Sequence, residues 1–343
     1  MLGNIFEGKN ILVTGGAGSI GSRIVQELLN YNPNAVRVLD NNETAQFNLQ
    51  DELKDFENVR FLIGDVRFKD RIKRAMEDID IVFHAAALKH VPFCEYNPFE
   101  AIQTNVVGTQ NTIDAAIDEE IEKFIAISTD KAVKPINTMG ATKLLSEKLV
   151  TSANYYKGNR KTIFSSVRFG NVIGSSGSVI PLFKKQIQEG RSITLTEPKM
   201  TRFVMSIKQS VSLVFKSTKI ARGGELFIFK MPTLELSDLV EVMIKELGPK
   251  YGYEPQNIKI KLIGKRPGEK LHEDLMTEEE AKLALETEDM FIVLPPFGHS
   301  NLDGKNNTYP NAKPTKLTKY TSKDGRLITK EEIKRLLYEE KLI

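Results

Sequence analysis

The sequence is poor in the residues that form disulfide bonds and metal centres. Cys94 is the only cysteine, which excludes an intrachain disulfide and is typical of a protein from the reducing cytoplasm. The four histidines are scattered along the chain, and none falls into a spacing typical of a metal site. We therefore expect no bound metal.

Long apolar runs and an excess of one charge are also missing. No segment has enough consecutive apolar residues to span a bilayer, and Glu7 and Lys9 interrupt the N-terminal segment where a secretory signal would be apolar. The net charge is only +3, with basic and acidic residues interspersed, which disfavours nucleic acid as a partner. We expect a cytoplasmic protein that binds neither a membrane nor nucleic acid. Its 343 residues suffice for two domains or for one large interleaved unit.

A glycine-rich turn follows the apolar residues 10–13, and a helical pattern follows the turn. Gly15 permits a tight turn, Gly18 lets backbone N–H groups approach a pyrophosphate, and Gly21 lets the helix pack closely on the strand. The helix N-terminus adds partial positive charge at the same place. The predicted dinucleotide-binding residues of this turn are Gly15, Ala17, Gly18, Ser19, Ile20 and Gly21. A phosphate loop of the nucleotide-hydrolase type is excluded, because no Gly-Lys-Ser/Thr follows.

The second predicted strand ends on Asp40, nineteen residues after Gly21. A carboxylate at this place holds the 2′-hydroxyl of an adenosine ribose and repels the 2′-phosphate of NADP. We therefore predict NAD as the cofactor. The alternative is a structural turn between strand and helix that binds no ligand.

Short β-rich runs alternate with helical patterns through the first half of the chain. The predicted strands are residues 10–14, 35–40, 59–65, 80–86, 124–129 and 162–167, and the predicted helices are 22–29, 43–56, 69–77, 98–117 and 139–155. Near-continuous apolar strands separated by helices predict an α/β fold with a Rossmann-type doubly wound parallel sheet. Ligands of such sheets bind beyond the carboxyl ends of the strands, so we expect the residues at those ends to line one cleft.

The pattern changes near residue 174, where a polar turn precedes shorter, mixed elements. We predict a dinucleotide-binding domain over residues 1–173 and a smaller C-terminal substrate-binding lobe over 174–343, partly interleaved with the sheet. The predicted elements of this half are helices at 179–188, 236–247 and 329–340 and a loop at 298–322, with Ser237 or Asp238 as the N-cap of the second helix.

Reactive side chains follow the fifth predicted strand. Ser128 and Thr129 precede the adjacent Asp130 and Lys131, an arrangement that can hold, acidify and deprotonate a substrate. The alternative interpretation is a polar loop in which Asp130 caps a turn. Lys143 lies one helical turn after Met139, where it can reach the nicotinamide ribose or remain solvated.

Several segments carry a more specific resemblance. The glycine turn, the strand end at Ser128 and the spacing of Met139 and Lys143 resemble the extended short-chain dehydrogenase/reductase family. Within it, the chain resembles the UDP-N-acetylglucosamine 4,6-dehydratases of bacterial polysaccharide and flagellin-glycan biosynthesis. The segments that carry this second resemblance are His84-Ala85-Ala86-Ala87-Leu88-Lys89-His90-Val91-Pro92, Ser128-Thr129-Asp130-Lys131, Arg168-Phe169-Gly170-Asn171-Val172, Met200-Thr201-Arg202-Phe203 and Arg266-Pro267-Gly268-Glu269-Lys270.

The resemblance implies a dehydration in three linked steps on a UDP-N-acetylhexosamine. The sugar is oxidised at C4, water is eliminated across C5 and C6, and hydride returns to C6. By the resemblance, Lys131 is the C5 base, Asp130 is the C6 acid and Thr129 orients the C4 oxygen, with Met139 and Lys143 completing the catalytic residues. Such roles require a lowered pKa for Lys131 and a raised pKa for Asp130.

The resemblance also implies a wider set of ligand contacts and a homo-oligomer. The cofactor residues, besides the glycine turn, are Asp40, Asn41, Asp65, Val66, Ala85, Ala86, Ala87, Asn105, Ser128, Lys143, Asn171 and Val172. The substrate residues are Lys89, His90, Asn171, Val179, Thr196, Arg202, Arg266 and Glu269. Arg266 and Glu269 could instead pair with each other at the surface, and Arg202 could form a salt bridge between elements. Related dehydratases that bind NADP have an arginine near the second strand, where this chain has Asn41, so NADP stays open as the alternative cofactor.

Met139 departs from the wider family, which has a tyrosine four residues before the lysine. Methionine cannot accept or donate the proton that the tyrosine exchanges, so the proton chemistry must lie with Thr129, Asp130, Lys131 or a water molecule. The departure leaves related reactions open: formation of a 5,6-unsaturated sugar, its reduction or C5 epimerisation, or a C4 epimerisation. A non-catalytic NAD-binding protein is the remaining alternative.

Overall fold

The computed structural model describes residues 5–175, 177–297, 309 and 311–343. Within these residues ten strands form the central sheet, in the order β16-β14-β15-β10-β6-β5-β4-β1-β2-β3. The strands of the chain are β1 (Asn10–Thr14), β2 (Ala35–Asp40), β3 (Val59–Ile63), β4 (Ile81–His84), β5 (Lys123–Thr129), β6 (Ile163–Phe169), β7 (Asn171–Val172), β8 (Ile193–Leu195), β9 (Thr201–Met205), β10 (Leu226–Phe229), β11 (Thr233–Glu235), β12 (Ile260–Leu262), β13 (Asp274–Met276), β14 (Ala284–Glu286), β15 (Met290–Val293), β16 (Lys313–Pro314) and β17 (Tyr320–Thr321).

Helices cover both faces of this sheet. They are α1 (Ser19–Leu28), α2 (Glu43–Glu52), α3 (Lys69–Met76), α4 (Val91–Tyr96), α5 (Pro98–Ala101), α6 (Gly108–Asp118), α7 (Thr138–Tyr156), α8 (Val179–Gln188), α9 (Ile207–Ile220), α10 (Leu236–Leu247), α11 (Glu278–Lys282) and α12 (Lys330–Glu339). One buried apolar cluster joins α1 and α9 to the sheet, and another joins α3, α6 and α7 to it. This arrangement confirms the predicted α/β, doubly wound sheet.

The seven strands from β3 to β10 run parallel, as the buried apolar runs predict. The chain order reverses between β1 and β4, which is where ligands bind in such sheets. The second half of the chain adds β10 to the parallel part, and β15, β14 and β16 extend the sheet in antiparallel pairing. A separate apolar cluster joins α8, α10 and α12 outside the sheet.

One predicted helix is present with a local irregularity, and two other local expectations were wrong. The predicted helix over 98–117 is α5, a π-helical segment Ile102–Val107 and α6. The N-cap of α10 is Glu235, the last residue of β11, so the helix begins one residue before Ser237. The predicted loop over 298–322 contains β16 and β17, whereas residues 298–308 and 310 lie outside the described residues.

Candidate active site

The glycine turn after β1 lies against the chain that leaves β4. Gly15 has a left-handed φ of 64°, and a Cβ there would lie 2.6 Å from the backbone nitrogen of Ala86. A Cβ on Gly21 would overlap the carbonyl oxygen of Gly15. Only glycine fits at either position, because each faces backbone atoms that cannot move aside. The turn and residues Ala85 to Ala87 therefore form one wall at the reversal point of the sheet.

The N-terminus of α1 has the properties of a pyrophosphate site. Gly18 is its N-cap and, as a glycine, has no side chain that could cap the helix. Ser19 and Ile20 begin the helix, so their N–H groups lie where a phosphate would bind. A helix N-terminus beside a glycine cradle fits a dinucleotide such as NAD, whose diphosphate these groups would hold.

Asp40 ends β2 beside the same turn. Its carboxylate accepts hydrogen bonds from the N–H of Ala17 at 3.1 Å and from the N–H of Asn42 at 3.0 Å. These bonds fix the carboxylate next to the glycine turn, where the adenosine ribose of a bound NAD would lie.

Asp65 follows β3 and receives hydrogen bonds from two neighbouring side chains. Asn41 donates from Nδ2 at 3.1 Å, and Arg67 donates from Nη2 at 2.7 Å. Partial burial would raise the pKa of Asp65, but the hydrogen bonds from Arg67 outweigh it and lower that pKa. The next residue, Val66, is buried against Gly108, where a Cβ would lie 2.6 Å from the Val66 methyl group. Asn41 and Asp65 thus form one polar edge next to β2.

His84, at the end of β4, is a buried residue whose contacts the sequence pattern does not indicate. Its Nδ1 lies 2.8 Å from Oγ1 of Thr14, and its Nε2 lies 3.0 Å from Oγ1 of Thr109. Complete burial, followed by the nearby charge of Lys143, lowers the pKa of His84 to about 3. The neutral ring therefore ties the ends of β1 and β4 to α6.

Asn105 is buried in the π-helical segment, and its amide is used inside the protein. It accepts from the N–H of Leu88 at 2.8 Å and donates to the Leu88 carbonyl at 3.0 Å and to Oγ1 of Thr142 at 2.9 Å. These bonds hold the chain just after Ala87 against α7. A π-helical turn that aims one side chain in this way is common at functional sites.

Helix α7 lies directly on the turn that follows β5. Asn137 caps the helix by accepting from the N–H of Gly140 at 2.7 Å, and a Cβ on Gly140 would overlap the carbonyl oxygen of Lys131. Met139 is buried in an apolar cluster with Cys94 and Ala101. The position that carries tyrosine in the wider family therefore holds a packed thioether here.

Lys143 reaches back across the end of β5. Its Nζ donates to the carbonyl of Ile127 at 2.8 Å, and burial lowers the pKa of Lys143 to about 8 although Glu147 acts in the opposite direction. Oγ of Ser128 is buried and has no hydrogen-bond partner in the described part of the chain. A buried hydroxyl without a partner is costly unless a ligand completes its hydrogen bonds, so this pair fits a nicotinamide ribose and a substrate oxygen.

Thr129, Asp130 and Lys131 form a connected group in a short 3₁₀ turn at the end of β5. Oδ1 of Asp130 accepts from Oγ1 of Thr129 at 2.8 Å and from Nζ of Lys131 at 3.0 Å. Nζ of Lys131 also lies 3.5 Å from Oδ1 of Asn171, at the start of β7. Asp130 is fully buried and its Oδ2 has no hydrogen-bond partner among the described residues. The expected alternative of Asp130 as a simple turn cap does not fit, since the capping oxygen belongs to Thr129.

The pKa of Lys131 is raised, whereas a lowered pKa was expected. Burial would lower that pKa, but the opposite charges of Asp130 and Glu273 outweigh burial and raise it. The side chain keeps 26% of its surface exposed. In this state Lys131 is an ammonium ion paired with the Asp130 carboxylate.

Arg202 and Glu273 lie on the other side of this group. Arg202, on β9, is 9% exposed, and its Nη1 donates to the carbonyl of Thr201 at 2.7 Å and to that of Leu271 at 3.3 Å. Its Nε lies 3.9 Å from Oε1 of Glu273, so the expected alternative of a salt bridge between elements is present. Sequence reasoning missed Glu273, because nothing in the local pattern separates it from the other acidic residues of its segment.

Residues 266–270 fold over the start of α7. Gly268 has a left-handed φ of 79°, and its carbonyl accepts from Nδ2 of Asn137 at 2.9 Å. Glu269 accepts from the backbone N–H of Arg266 at 3.1 Å, whereas the side chain of Arg266 extends into solvent. The motif at 266–270 is thereby placed next to the turn that carries Lys131.

The remaining predicted substrate residues lie in four separate segments of the chain. His90 lies against Gly177, where a Cβ would overlap the imidazole, and Val179 begins α8 shortly after it. Lys89 is exposed beside His90. Thr196 follows β8 and donates to the sulfur of Met200 at 3.6 Å. Val172 and Asn171 form β7, which pairs with β9.

Residues 11–295 match the family model described as "Polysaccharide biosynthesis protein". The chain belongs to this family. A relative in Campylobacter jejuni, named UDP-N-acetylglucosamine 4,6-dehydratase (inverting), is 44% identical over 85% of this chain and 84% of its own. These matches confirm the resemblance to the dehydratase branch of the extended short-chain dehydrogenase/reductases.

Two other proteins match almost the whole chain. A relative in Methanocaldococcus jannaschii, named an uncharacterized membrane protein, is 59% identical over 98% of both chains. The crystal structure of Pen from Bacillus thuringiensis superposes with a TM-score of 0.91 at 49% identity and covers 99% of this chain and 100% of that one. In the part of this chain that the structure describes, no helix is long and apolar enough to cross a membrane.

A more distant structure shows the same fold with a cofactor in place. The dTDP-glucose 4,6-dehydratase from Streptomyces venezuelae, solved with NAD bound, has a TM-score of 0.69 at 23% identity and covers 76% of this chain and 86% of its own. Residues 5–175, 177–297, 309 and 311–343 contain no cluster of three His, Cys, Asp or Glu side chains that could hold a metal ion.

Proposed function

We propose that this protein is an NAD-dependent UDP-N-acetylglucosamine 4,6-dehydratase. The observation that carries the proposal is the Asp130–Lys131 pair, joined at 3.0 Å at the carboxyl end of β5. It occupies the same sheet edge as the glycine turn and Asp40. A hydride carrier and an adjacent acid–base pair together suit an elimination next to a transiently oxidised carbon.

The cofactor residues would bind NAD along this edge. When bound, NAD supplies a hydride acceptor at C4 and, once reduced, a hydride donor at C6. The Gly15–Gly21 turn and the first turn of α1 would hold its diphosphate, and Asp40 would accept from the adenosine ribose. Lys143 would donate to the nicotinamide ribose, and Ser128 would contact the sugar close to C4.

One proton shift within the Asp130–Lys131 pair would prepare the elimination. Transfer of a proton from Nζ of Lys131 to the Asp130 carboxylate turns the ion pair into a neutral amine and a carboxylic acid. The amine of Lys131 then takes the C5 proton, while the acid of Asp130 gives its proton to the leaving C6 hydroxyl, which departs as water. The pair returns to ammonium and carboxylate after the elimination. When hydride returns to C6, the ammonium of Lys131 would give a proton to C5, and the proton released from the C4 hydroxyl on oxidation would replace it through a water molecule, so both groups are restored. This route explains how Lys131 acts as a base although its pKa in the structure is raised.

Thr129 and Asn171 would orient this chemistry. Oγ1 of Thr129 shares Oδ1 of Asp130 with Lys131, and Asn171 faces Nζ of Lys131. Both side chains hold the reactive atoms in place before substrate binds. General acid–base groups of this kind contribute on the order of 10²–10⁴-fold each.

The UDP part of the substrate would lie on the loop at 266–270 and the segments facing it. Arg266 and Arg202 supply cationic donors for a diphosphate, and Glu269 can accept from a ribose hydroxyl. Arg202 is buried, with its Nε 3.9 Å from Oε1 of Glu273. Lys89, His90, Val179, Thr196 and Asn171 complete the proposed substrate contacts.

The proposal is tested by incubating the NAD-loaded protein with UDP-N-acetylglucosamine in D₂O and recording proton NMR spectra over time. We expect a new C6 methyl signal and replacement of the C5 proton by deuterium. The ring couplings of the product report the configuration at C5. An unchanged spectrum, with NAD bound and the protein folded, would refute the proposed substrate and reaction.

A second candidate function is favoured by the burial of Met139. Without a tyrosine at this position, the reaction could stop at the 5,6-unsaturated UDP-sugar or begin from it. Vinylic signals without a methyl signal would assign the first of these, and conversion of the 5,6-unsaturated sugar alone would assign the second. Inversion of configuration at C4, with the C6 hydroxyl retained, would identify the protein as a C4-epimerase.

We further propose that the enzyme acts in the cytoplasm as a homo-oligomer. The single cysteine and the nucleotide-sugar substrate support the cytoplasmic location.

The division into a domain of residues 1–173 and a lobe of residues 174–343 remains a prediction. The second half adds β10 and the antiparallel strands to the sheet.

A further inference from the structure

We propose that Glu273 is a positioning residue of the elimination, which acts through Lys131 by fixing whether its amine is protonated when the sugar is bound. The proposal rests on the proposed function, in which Lys131 is the C5 base. Glu273 belongs to none of the motifs that carry the family resemblance.

The backbone holds Glu273 rigidly at this place. Its N–H donates to Oγ of Ser322 at 2.8 Å, and its carbonyl accepts from the N–H of Ser322, also at 2.8 Å. Oγ of Ser322 lies 2.7 Å from Oγ1 of Thr201, next to Arg202 on β9. Lys270, three residues before Glu273, donates to the carbonyl of Val133. The segment carrying Glu273 is therefore fastened to both β9 and the Asp130–Lys131 turn.

The carboxylate of Glu273 is buried but incompletely bonded. The residue is 3% exposed, and its Oε2 has no hydrogen-bond partner among the described residues. Its nearest ion-pair contact is the 3.9 Å approach of Oε1 to Nε of Arg202. A buried carboxylate costs free energy unless charges around it compensate. A residue retained only for packing would not require that cost.

Glu273 comes directly before β13, which packs against the turn Asp130–Ala132. Lys131, Asp130, Arg202 and Lys270 all interact electrostatically with Glu273, and Asp130, Glu273 and Arg202 do so with Lys131. Asn171 faces Lys131 as an uncharged partner. Two carboxylates and two cations thus share one buried region around the proposed base.

The direction of each interaction defines what Glu273 does. Burial, and then Asp130, raise the pKa of Glu273, whereas Lys131 lowers it. The negative charge of Glu273 raises the pKa of Lys131, and the positive charge of Arg202 lowers it. Removing the charge of Glu273 must therefore move the titration of Lys131 to lower pH.

The direct test is a titration of Lys131 that does not require turnover. The NAD-loaded protein is reductively ¹³C-methylated, and the dimethyl-lysine signal that disappears in Lys131→Arg is followed by NMR as the pH is raised. We expect Glu273→Gln to shift this titration to lower pH and Asp274→Asn, the adjacent carboxylate change, to shift it less. An equal midpoint in wild type and Glu273→Gln would overturn the proposal.

The kinetic test uses the pH profile of kcat with UDP-N-acetylglucosamine. The proposed pair is active while Lys131 and Asp130 together hold one proton, so loss of the Lys131 proton sets the basic limb of the profile. We expect Glu273→Gln to move this basic limb to lower pH while KM stays within about twofold, because Glu273 is not one of the proposed substrate contacts. A merely structural role would lower kcat equally at every pH, and this result would also overturn the proposal. Glu273→Asp keeps the negative charge but moves it away by one methylene group. If Glu273→Gln does not fold, this variant should shift the titration of Lys131 in the same direction by a smaller amount.

The two proposals fail in different ways. If Glu273→Gln shifts the titration of Lys131 but the protein does not convert UDP-N-acetylglucosamine, the proposed reaction is refuted and the coupling of Glu273 to Lys131 stands. Conversion of the sugar with an unmoved titration would refute only the role of Glu273.

Discussion

Gly140 packs directly against the backbone of Lys131. A Cβ added to Gly140, in the first turn of α7, would overlap the carbonyl oxygen of Lys131 in the turn after β5. The absence of that atom lets the helix that carries Lys143 approach the turn that carries the proposed acid and base. The close approach of α7 to the turn requires glycine at this contact.

We expect Gly140→Ala to lower both stability and activity. The new methyl group meets backbone, which cannot rotate away, so α7 must shift at a cost of about 1–3 kcal/mol. Thermal unfolding and kcat measure the two effects. Ala141→Ser, at the exposed neighbouring position, is the control and should change little. A Gly140→Ala variant with the stability and kcat of wild type would show that the contact is not constraining.

The sequence predicts the parallel part of the sheet and the Asp130–Lys131 pair because both depend on local pattern. Buried strands such as β5 are continuous apolar runs, and the reactive pair follows one of them directly. The strands β16 and β17 are two residues long and exist through pairing with β14 and β13, so no local signal marks them.

Partners that are distant in the chain explain the other omissions. His84 is buried between Thr14 and Thr109, and Glu273 faces Lys131 only after the second half folds onto the first. The raised pKa of Lys131 depends first on the adjacent Asp130 and then on Glu273, which is more than a hundred residues away in the chain. These are tertiary contacts, and spacing in the sequence contains no record of them.

The buried His84 makes stability depend on pH. Its pKa of about 3 in the folded protein lies below the ordinary value of 6.5, so the unfolded chain binds a proton first as the pH falls. The stability that His84 contributes is complete above pH 6.5 and is lost between about pH 6.5 and 3, by about 1.4 kcal/mol per pH unit at most. Urea unfolding of His84→Gln should show a weaker pH dependence in this window. His272→Gln is the comparison, and equal pH dependence in His84→Gln and wild type would contradict the account.

Arg168 forms a buried charge group with two glutamates. Its Nη2 donates to Glu147 of α7 at 2.6 Å and to Glu280 of α11 at 2.8 Å. Arg168→Met leaves the buried Glu147 and the half-buried Glu280 without their cation, and we expect a loss of about 3–5 kcal/mol. Chemical denaturation measures it.

The exposed pair of Arg326 and Glu332 provides the control for Arg168. Arg326→Met should cost about 0–1 kcal/mol, because solvent screens that pair. Similar losses for Arg168→Met and Arg326→Met would mean that burial does not strengthen the interaction.

Asp40 is expected to determine the choice of cofactor. Asp40→Ser removes the charge that would bind the ribose hydroxyl and repel a 2′-phosphate, so NAD should bind about tenfold or more weakly while NADP binds better. Fluorescence titration of the two cofactors measures the ratio. Asp51→Ser, an exposed carboxylate change in α2, should leave the ratio unaltered. The assignment fails if Asp40→Ser keeps the wild-type preference for NAD.

The most direct test of the account compares Lys131→Gln with Lys134→Gln. Lys134 is exposed three residues after Lys131, so its variant makes the same chemical change outside the pair. With UDP-N-acetylglucosamine in D₂O, we predict that Lys131→Gln loses C5 deuterium incorporation and C6 methyl formation by on the order of 10²–10⁴-fold. Lys134→Gln should retain both. Deuterium incorporation at the wild-type rate in folded, NAD-loaded Lys131→Gln would contradict the assignment of the Asp130–Lys131 pair as the centre of the reaction.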